Sequence, residues 1–391
     1  MKLVVVGLGQ CGGRVADEFS KLSQRAKSRR GIEIVTGTFA VNTDAADLSG
    51  LTNIRKGHQH RILIGGRKTG GHGVGKINEL GAEVARDDSD KIVDAIRVTK
   101  RFFETDAFLL IAGAAGGTGS GAISVLTQHI KERYIDKPVY NLIVLPFEHE
   151  ESTEERTAYN VATCLKSSYQ VADAVFLVDN QRYVRKDSSI RNNLTKINEM
   201  IAAPFYNILC AGEEKKPKYI GAKLIDAGDI IQTLVGWTAI GYGKSEVPMF
   251  RMPKDWGSDF RKKGAEIQKG IQAMDEAISE LSLKCNPVDC RRAIYLVSGP
   301  HREMNMDLIK ELGDYIRDMA PEAVIRNGDY PRDKGSLDVT LILSELSDVE
   351  KVRDYYLKST NLIPELKRRQ QDTELKLKAI EDASKDIPSL L

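Results

Sequence analysis

The chain has 391 residues, with 57 Lys or Arg and 55 Asp or Glu, which gives a formal net charge of +2. This balance argues against a nucleic-acid or acidic membrane partner, and no apolar run approaches the roughly 20 residues of a membrane-spanning helix. A chain of this length is expected to form two packed domains with a large buried core.

In the first half of the chain, short apolar runs alternate with stretches of helical periodicity. Strands are predicted at residues 2–6, 34–41, 107–112, 139–145 and 174–178. Helices are predicted at residues 13–27, 76–86, 90–103, 121–134 and 152–170. This alternation is typical of an α/β fold with a doubly wound parallel sheet. The nearly continuous apolar character of the strands indicates that both faces of the sheet are buried.

The pattern changes in the second half of the chain. A long amphipathic helix is predicted at residues 195–212, and another helix begins after Asp226. Further strands are predicted at residues 292–298, 322–327 and 338–344, with helices at 261–282 and 304–318. This order predicts a smaller α+β domain with a mixed sheet. The charged residues 347–385 are expected to form either a terminal helix pair or a mobile tail.

The first predicted strand ends in a glycine-rich turn, Gly7-Leu8-Gly9-Gln10-Cys11-Gly12-Gly13-Arg14. Glycines between a strand and a helix let the backbone approach a phosphate, and the helix N-terminus supplies free N–H groups. A plain tight turn and a dinucleotide site of an oxidoreductase are both compatible with this spacing. Asp44 ends the second strand, where a dehydrogenase holds ribose, but it follows Gly12 by more than the usual ~20 residues.

A second glycine-rich segment, Gly113-Ala114-Ala115-Gly116-Gly117-Thr118-Gly119-Ser120-Gly121, separates the third strand from the next helix. Its small side chains leave consecutive backbone N–H groups free to surround a di- or triphosphate, and Thr118 and Ser120 can add hydroxyl donors. Unlike a P-loop, the segment contains no lysine. An oxidoreductase needs no second phosphate loop of this kind, so the segment favours a nucleoside di- or triphosphate.

Several motifs resemble those of one family, in order along the chain. The segment 116–121 resembles the GGTGSG signature of tubulin and FtsZ, and Gly9-Gln10-Cys11-Gly12 resembles the GQCG of tubulin. Asn42-Thr43-Asp44 resembles the NTD of FtsZ, and Val178-Asp179-Asn180 resembles a tubulin segment whose Asn contacts guanine. This mixture most resembles the archaeal CetZ proteins, a branch tied to cell shape rather than to division.

The resemblance implies a fold, cofactors and site residues. It implies a GTP-binding domain (1–194), a connecting helix and catalytic loop (195–225), an α+β domain (226–350) and a charged helical extension (351–391). GTP or GDP and Mg²⁺ are the implied cofactors, and no cluster of protein metal ligands is predicted. The residues placed at the nucleotide are Gly9, Gln10, Cys11, Gly12, Gly13, Arg14, Asn42, Asp44, Gly73, Gly75, Gly113, Gly116, Gly117, Thr118, Gly119, Glu150, Asn180 and Asn198.

Some of these side chains have a second interpretation. Cys11 could be a small buried apolar residue, Arg14 a solvated helix residue, and Glu150 part of an acidic helix start. Leu194 stands where the relatives carry an aromatic residue that stacks on the base, which leaves room for relaxed base selectivity. Lys76 could neutralise the terminal phosphate or be an exposed lysine.

The catalytic residues implied by the resemblance are Asp226 and Asp229. The segment 223–229 resembles the NxDxxD loop of FtsZ, with Leu224 in place of the Asn. Two carboxylates three residues apart at a helix start lie at one end and on one face, where they could orient water beside the phosphate. Asp226 as a helix N-cap is the alternative interpretation, and it is compatible with the first. In this family the loop serves the neighbouring subunit, so the implied partner is a further copy in a head-to-tail polymer.

The predicted function is a polymerising GTPase that controls cell shape. The alternatives are a cell-division GTPase of the FtsZ type, a non-polymerising nucleotide-binding regulator and an oxidoreductase. The terminal sequence KDIPSLL (385–391) hints at the short apolar peptide of division proteins. Five scattered cysteines (Cys11, Cys164, Cys210, Cys285 and Cys290) and the lack of a basic and apolar leader before the first strand predict a cytoplasmic protein.

Overall fold

A continuous ten-stranded sheet forms the centre of the computed structural model, which describes residues 1–184, 190–246, 259–333 and 335–385. The strands are β1 (Leu3–Leu8), β2 (Val35–Asn42), β3 (Arg61–Leu63), β4 (Ala107–Gly113), β5 (Val139–Leu145), β6 (Ala174–Asp179), β7 (Gly236–Glu246), β8 (Arg292–Gly299), β9 (Val324–Pro331) and β10 (Ser336–Ser344).

The helices cover both faces of this sheet. They are α1 (Gly9–Arg30), α2 (Ala45–Ser49), α3 (Gly66–Thr69), α4 (Asn78–Asp87), α5 (Ser89–Arg97), α6 (Thr118–Arg133), α7 (Glu148–Thr153), α8 (Glu155–Val171), α9 (Ile190–Ala211), α10 (Ala227–Thr233), α11 (Asp259–Ser279), α12 (Met306–Met319) and α13 (Glu350–Ser384). Short 3₁₀ turns lie at Phe102–Glu104, Asn180–Tyr183, Pro217–Tyr219, Pro287–Asp289 and His301–Glu303.

The strand order is β3-β2-β1-β4-β5-β6-β7-β10-β8-β9. Every pair from β3 to β7 is parallel. β10 runs antiparallel to both β7 and β8, and β8 and β9 are parallel. The predicted doubly wound parallel sheet is confirmed. The mixed sheet expected for the second domain is also present, and it joins the parallel part through β6 and β7.

The strand β7 was missed in the sequence. Its residues include three glycines, Gly236, Gly241 and Gly243, which weaken a strand pattern. Gly241 and Gly243 are required because α11 packs so closely that a Cβ atom there would lie 2.0 and 1.9 Å from the carbonyl oxygens of Ala277 and Ala273. The close helix contact therefore removes the side chains by which a strand is normally recognised.

Alternate strand residues enter two separate hydrophobic cores, because successive side chains point to opposite faces of a sheet. In β1, Val4 and Val6 pack in a core with α4, α5, α6 and α8, whereas Leu3 and Val5 pack in a core with α1 and α9. The parallel strands are therefore buried on both faces, as their apolar composition predicts.

The charged C-terminal segment forms one helix, α13, instead of the expected helix pair or mobile tail. Val352 and Tyr355 in its first turns are buried in the core that contains α8. Further along, Leu377 and Ile380 are exposed. Residues 386–391, and with them most of the KDIPSLL sequence, lie outside the described residues. Within the described part of the chain, no helix is both long and apolar enough to span a bilayer.

Candidate functional site

A cavity of about 390 Å³ lies where β1, β4, β5 and β6 end. Ligands of open parallel sheets bind in the crevice outside these carboxyl ends of the strands. The lining contains sixteen of the predicted nucleotide-binding residues: Gly9, Gln10, Cys11, Arg14, Asn42, Asp44, Gly73, Gly75, Gly113, Gly116, Gly117, Thr118, Gly119, Glu150, Asn180 and Asn198. The structure therefore brings together segments that are far apart in the sequence.

Two helix N-termini meet at the floor of the cavity. The helix α1 begins directly after β1, and α6 begins directly after the 113–117 segment. Neither helix has a side-chain cap or an acidic residue in its first turn. The first N–H groups of a helix have no partner within it, and the helix dipole adds partial positive charge. Two uncapped N-termini on one cavity favour an anion such as a phosphate.

The close approach of these helices requires glycine at two positions. Gly9 has a left-handed backbone with φ +68°, and a Cβ atom there would lie 3.0 Å from the backbone nitrogen of Gly119. A Cβ atom on Gly119 would lie 2.8 Å from the carbonyl oxygen of Leu8. The two glycine-rich segments therefore form one surface of backbone atoms. Thr118 contributes to this surface as well, and its hydroxyl lies 2.6 Å from that of Thr43.

The loop 70–76 covers one side of the cavity at the end where α1 and α6 begin. This end favours an anion and is the phosphate end of the cavity. The Gly73 N–H donates to the Thr43 carbonyl at 3.1 Å, which fixes the loop beside β2. Lys76 has a left-handed backbone with φ +59°, an uncommon conformation for a residue with a side chain. Its ammonium group pairs with Glu154 at 2.5 Å. The lysine lines the cavity, and in this structure its charge is balanced by a carboxylate.

Asn160 of α8 holds two of these loops together. Its side-chain Nδ2 donates to the Lys76 carbonyl at 2.9 Å and to the Ala115 carbonyl at 3.0 Å. A longer contact of 3.4 Å reaches the Gly116 carbonyl. The side chain is fully buried, so water cannot replace these bonds easily. Asn160 therefore fixes the distance between the 70–76 loop and the glycine-rich 113–117 segment.

A polar network lies beside the start of α1. Asp47 accepts hydrogen bonds from Gln10 at 2.7 Å and from Asn42 at 3.0 Å. The Asp44 carboxylate caps α2 by accepting from the Asp47 N–H at 3.0 Å. Among the described residues no group of three or more Asp, Glu, His or Cys side chains could hold a metal ion.

Cys11 and Glu150 lie on the wall of the cavity. Burial, with a smaller contribution from the Glu150 carboxylate, raises the pKa of the Cys11 thiol to about 12. The thiol is therefore neutral at physiological pH and adds no negative charge near the phosphate end. Glu150 accepts from the Phe147 N–H at 3.3 Å in the first turn of α7. It is both part of an acidic helix start and part of the cavity lining, so its two interpretations are compatible.

The other end of the cavity presents amide side chains. Asn180 follows β6, and its buried Oδ1 has no hydrogen-bond partner among the described residues. Asn198 and Leu194 reach the lining from α9, and the exposed Arg14 reaches it from α1. A buried acceptor without a partner is costly unless a ligand donates to it. The N1–H and N2–H₂ groups of guanine are donors of the required kind.

Three of the residues considered for phosphate binding differ from the others in position. Gly12 and Gly13 are buried inside α1 and lie outside the cavity lining. A Cβ atom on Gly12 would lie 2.0 Å from the Ile111 carbonyl oxygen, so this glycine permits contact between α1 and β4. The Ser120 hydroxyl is also buried and donates to the Gly116 and Gly117 carbonyls. The side-chain positions of Gly12 and Ser120 are therefore occupied by contacts within the protein, and a role for Gly12 and Gly13 at the nucleotide stays a prediction.

Asp226 and Asp229 lie far from the cavity. A Cβ atom on Gly212, just after α9, would lie 3.3 Å from the Asp226 Cα. Because α9 rises about 1.5 Å per residue, this point is about 20 Å along the helix axis from Asn198. Asp226 caps α10 by accepting from the Asp229 N–H at 2.9 Å, as the alternative interpretation predicts. Asp229 also lies 3.5 Å from the Arg326 guanidinium.

Asp47 and Asn160 were not predicted from the sequence. Asp47 stands three residues after the cap residue Asp44, and this spacing of a helix capping box could have indicated it. Asn160 lies inside a helix, and no local pattern marks it. Its role depends on contacts with segments more than 40 residues away in sequence.

Comparisons with known proteins find one family over residues 2–360. Residues 2–186 match the tubulin/FtsZ family, GTPase domain, and residues 187–360 match the C-terminal domain of the tubulin-like CetZ proteins. The tubulin-like protein CetZ1 of Haloferax volcanii is 32% identical over 374 residues, which cover 90% of this chain and 90% of the relative.

Two solved structures from the same organism are similar to the fold. The GDP-bound monomer of CetZ1 has a TM-score of 0.78 and 30% identity, and the match covers 92% of this chain and 99% of the other. The GTPγS-bound protofilament of CetZ2 has a TM-score of 0.79 and 28% identity, with coverage of 94% and 100%.

Proposed function

The chain belongs to the CetZ proteins of the tubulin/FtsZ family, and from this membership we propose that it binds and hydrolyses GTP and polymerises head to tail. Similar structures contain GDP or GTPγS, and one of them is a protofilament. We propose the same ligands and the same mode of assembly for this chain, as a cytoplasmic filament.

The observation that carries the proposal is the meeting of α1 and α6 at one cavity. Their uncapped N-termini would supply N–H groups for the phosphates, and the Asn180 Oδ1, which has no partner among the described residues, would accept from a base donor at the other end. Glu150 also lines the cavity, and its carboxylate could accept from ribose hydroxyls. These groups would together provide partners for the phosphates, the ribose and the base of one nucleotide.

Mg²⁺ fits the phosphate end. Asp44 and Asp47 supply carboxylate oxygens there, and together with Gln10 they would hold the ion beside the phosphates. When bound, the ion would reduce the negative charge that develops on the phosphate oxygens during hydrolysis.

We propose that Asp226 and Asp229 complete the GTPase site of a neighbouring subunit. Both lie about 20 Å from the cavity of their own chain, so they cannot act there. Asp226 is exposed, and two apolar side chains on the same loop, Ile220 and Leu224, are 44% and 43% exposed. Near the cavity, Ile77 is 42% exposed. In the proposed contact these apolar side chains would be covered by the neighbouring subunit, which is favourable.

Such a contact is heterologous, because two different surfaces of the same chain meet. Repeated head-to-tail contacts of this kind do not close, and they generate filaments. In the filament the acidic loop of one subunit would orient a water molecule for attack on the γ-phosphate bound by the next. Attack releases inorganic phosphate and leaves GDP in the contact.

We propose control of cell shape rather than division as the cellular role. The match of residues 187–360 to the CetZ C-terminal domain supports this choice.

Two measurements on the purified full chain test the proposal. Sedimentation and light scattering with GTP and Mg²⁺ should show polymer that GDP does not support. The GTPase rate per chain should rise with protein concentration, because the site needs two subunits. A rate per chain that is independent of concentration would refute the shared site, and nucleotide binding without any polymer would favour a non-polymerising regulator.

A further inference from the structure

The first turns of α13 contact both segments that carry side chains at the nucleoside end of the cavity. Val352 and Tyr355 anchor these turns, with 4% and 1% of their surfaces exposed. Lys351, Tyr355 and Lys358 line a separate cavity of about 180 Å³ and take no part in the lining of the large one. Any effect of these residues on a nucleotide must therefore pass through their neighbours.

The first of these contacts leads to Asn180. The Lys351 Nζ lies 2.7 Å from the Asp179 Oδ2, and the two side chains are 27% and 10% exposed. The other oxygen of Asp179 accepts from the Gln181 N–H at 3.0 Å and so starts the 3₁₀ turn that carries Asn180. A partly buried ion pair with little water around it holds its geometry better than a surface pair. Lys351 thus fixes the carboxylate that shapes the turn.

The second contact leads to Glu150. The Tyr355 hydroxyl donates to one oxygen of Glu151, and the Lys358 Nζ lies 3.1 Å from the other. Glu151 is the neighbour of Glu150 in the short helix α7. Burial and the adjacent Glu151 carboxylate raise the pKa of the Tyr355 hydroxyl, which therefore remains a donor. Both oxygens of Glu151 are held by α13, and α7 is fixed with them.

We propose that Lys351 and Tyr355 are positioning residues for the nucleoside half of the site. They place Asn180 and Glu150 through Asp179 and Glu151, so that the C-terminal helix contributes to nucleotide affinity without touching the nucleotide. This inference depends on the proposed function, because it concerns how tightly the same cavity holds GDP.

Calorimetric titration of the full chain with GDP tests the inference, because it gives both the affinity and the number of sites per chain. For Lys351→Ala and Tyr355→Phe we expect an affinity about three- to tenfold lower, the range for loss of one partly buried polar contact, with unchanged site number. A general folding defect would instead reduce the number of sites. Lys351→Arg, which keeps the ion pair, should restore the affinity.

The matched control is Lys378→Ala, which removes the same side chain from an exposed position further along α13. It should bind GDP like the wild type. The inference is overturned if Lys351→Ala and Tyr355→Phe bind GDP as tightly as the wild type, or if Lys378→Ala loses as much affinity as they do. A wild-type chain that does not bind GDP refutes the proposed function itself, and the inference with it.

Discussion

Replacement of Asp226 separates its structural role from its proposed catalytic role. The Asp226 carboxylate caps α10 through one bond of 2.9 Å to the Asp229 N–H. Asn retains a capping oxygen but has no charge, whereas Ala removes both. We therefore expect Asp226→Ala to lower the free energy of unfolding by about 1 kcal/mol, with a much smaller change for Asp226→Asn.

Catalysis should respond differently from stability. Loss of a carboxylate that orients or deprotonates water typically reduces the rate by about 10²- to 10⁴-fold, so both variants should hydrolyse GTP slowly. Their affinity for GDP should match that of the wild type, since Asp226 lies about 20 Å from the cavity of its own chain. Their polymers should last longer, because the GTP that stabilises the contact is removed slowly.

The assays are phosphate release, GDP titration and the decay of light scattering, at a protein concentration that supports polymer. Asn305→Ala is the control, because Asn305 caps α12 by accepting from the Leu308 N–H at 2.8 Å and also donates to Glu266 at 2.9 Å. It should lose at least as much stability as Asp226→Ala and keep the wild-type rate. Asp226→Asn with wild-type GTPase activity would refute the catalytic role, and lost GDP binding in this variant would show that the residue acts at its own cavity.

Three further predictions concern the cavity and the core. Asn160→Ala should weaken GDP binding about tenfold in calorimetry, because three loop carbonyls lose their shared donor; unchanged affinity would contradict its role. Leu194→Phe should tighten GDP binding about two- to tenfold by stacking on the base, and looser binding would place the base elsewhere. Burial raises the pKa of the Cys164 thiol from 9.0 to about 12, so the folded state keeps a proton that the unfolded state loses. The free energy of unfolding should therefore fall as the pH rises from about 9 toward 12, and chemical denaturation should show a smaller fall for Cys164→Ala.

Much of the fold could be predicted from the sequence because the parallel strands are buried on both faces. Continuous apolar runs such as residues 139–145 then mark the strands directly, and β5 has these bounds. The strand β7 could not be recognised, since the contact between α11 and the sheet replaces its side chains with glycine. The continuity of the sheet depends on this strand, so the sequence predicted two sheets where the structure joins them.

In the site, too, segments with a local sequence pattern could be predicted, whereas residues that depend on contacts distant in the sequence could not. In the proposed site the phosphates are held mainly by backbone N–H groups, and free N–H groups require small residues at consecutive positions, so the segment 113–121 carries its own signature. The proposed contacts to the base come from single amides such as Asn180, which have little local pattern of their own. Gly12 packs against Ile111, and a glycine needed for packing looks the same in the sequence as one needed for a ligand.

Residues that act through other residues have the weakest sequence signal of all. Asn160 and Lys351 lie on helices with ordinary periodicity, and each acts on a segment that folding alone brings near it. In the proposed site α8 supports the loops around the phosphates, and α13 supports the turns around the nucleoside, so the two helices support different parts of the cavity. If this division holds, Asn160→Ala should weaken GDP and inorganic pyrophosphate alike, whereas Lys351→Ala should weaken GDP alone. Competition of pyrophosphate against GDP measures both, and equal losses in the two variants would contradict the separate supports.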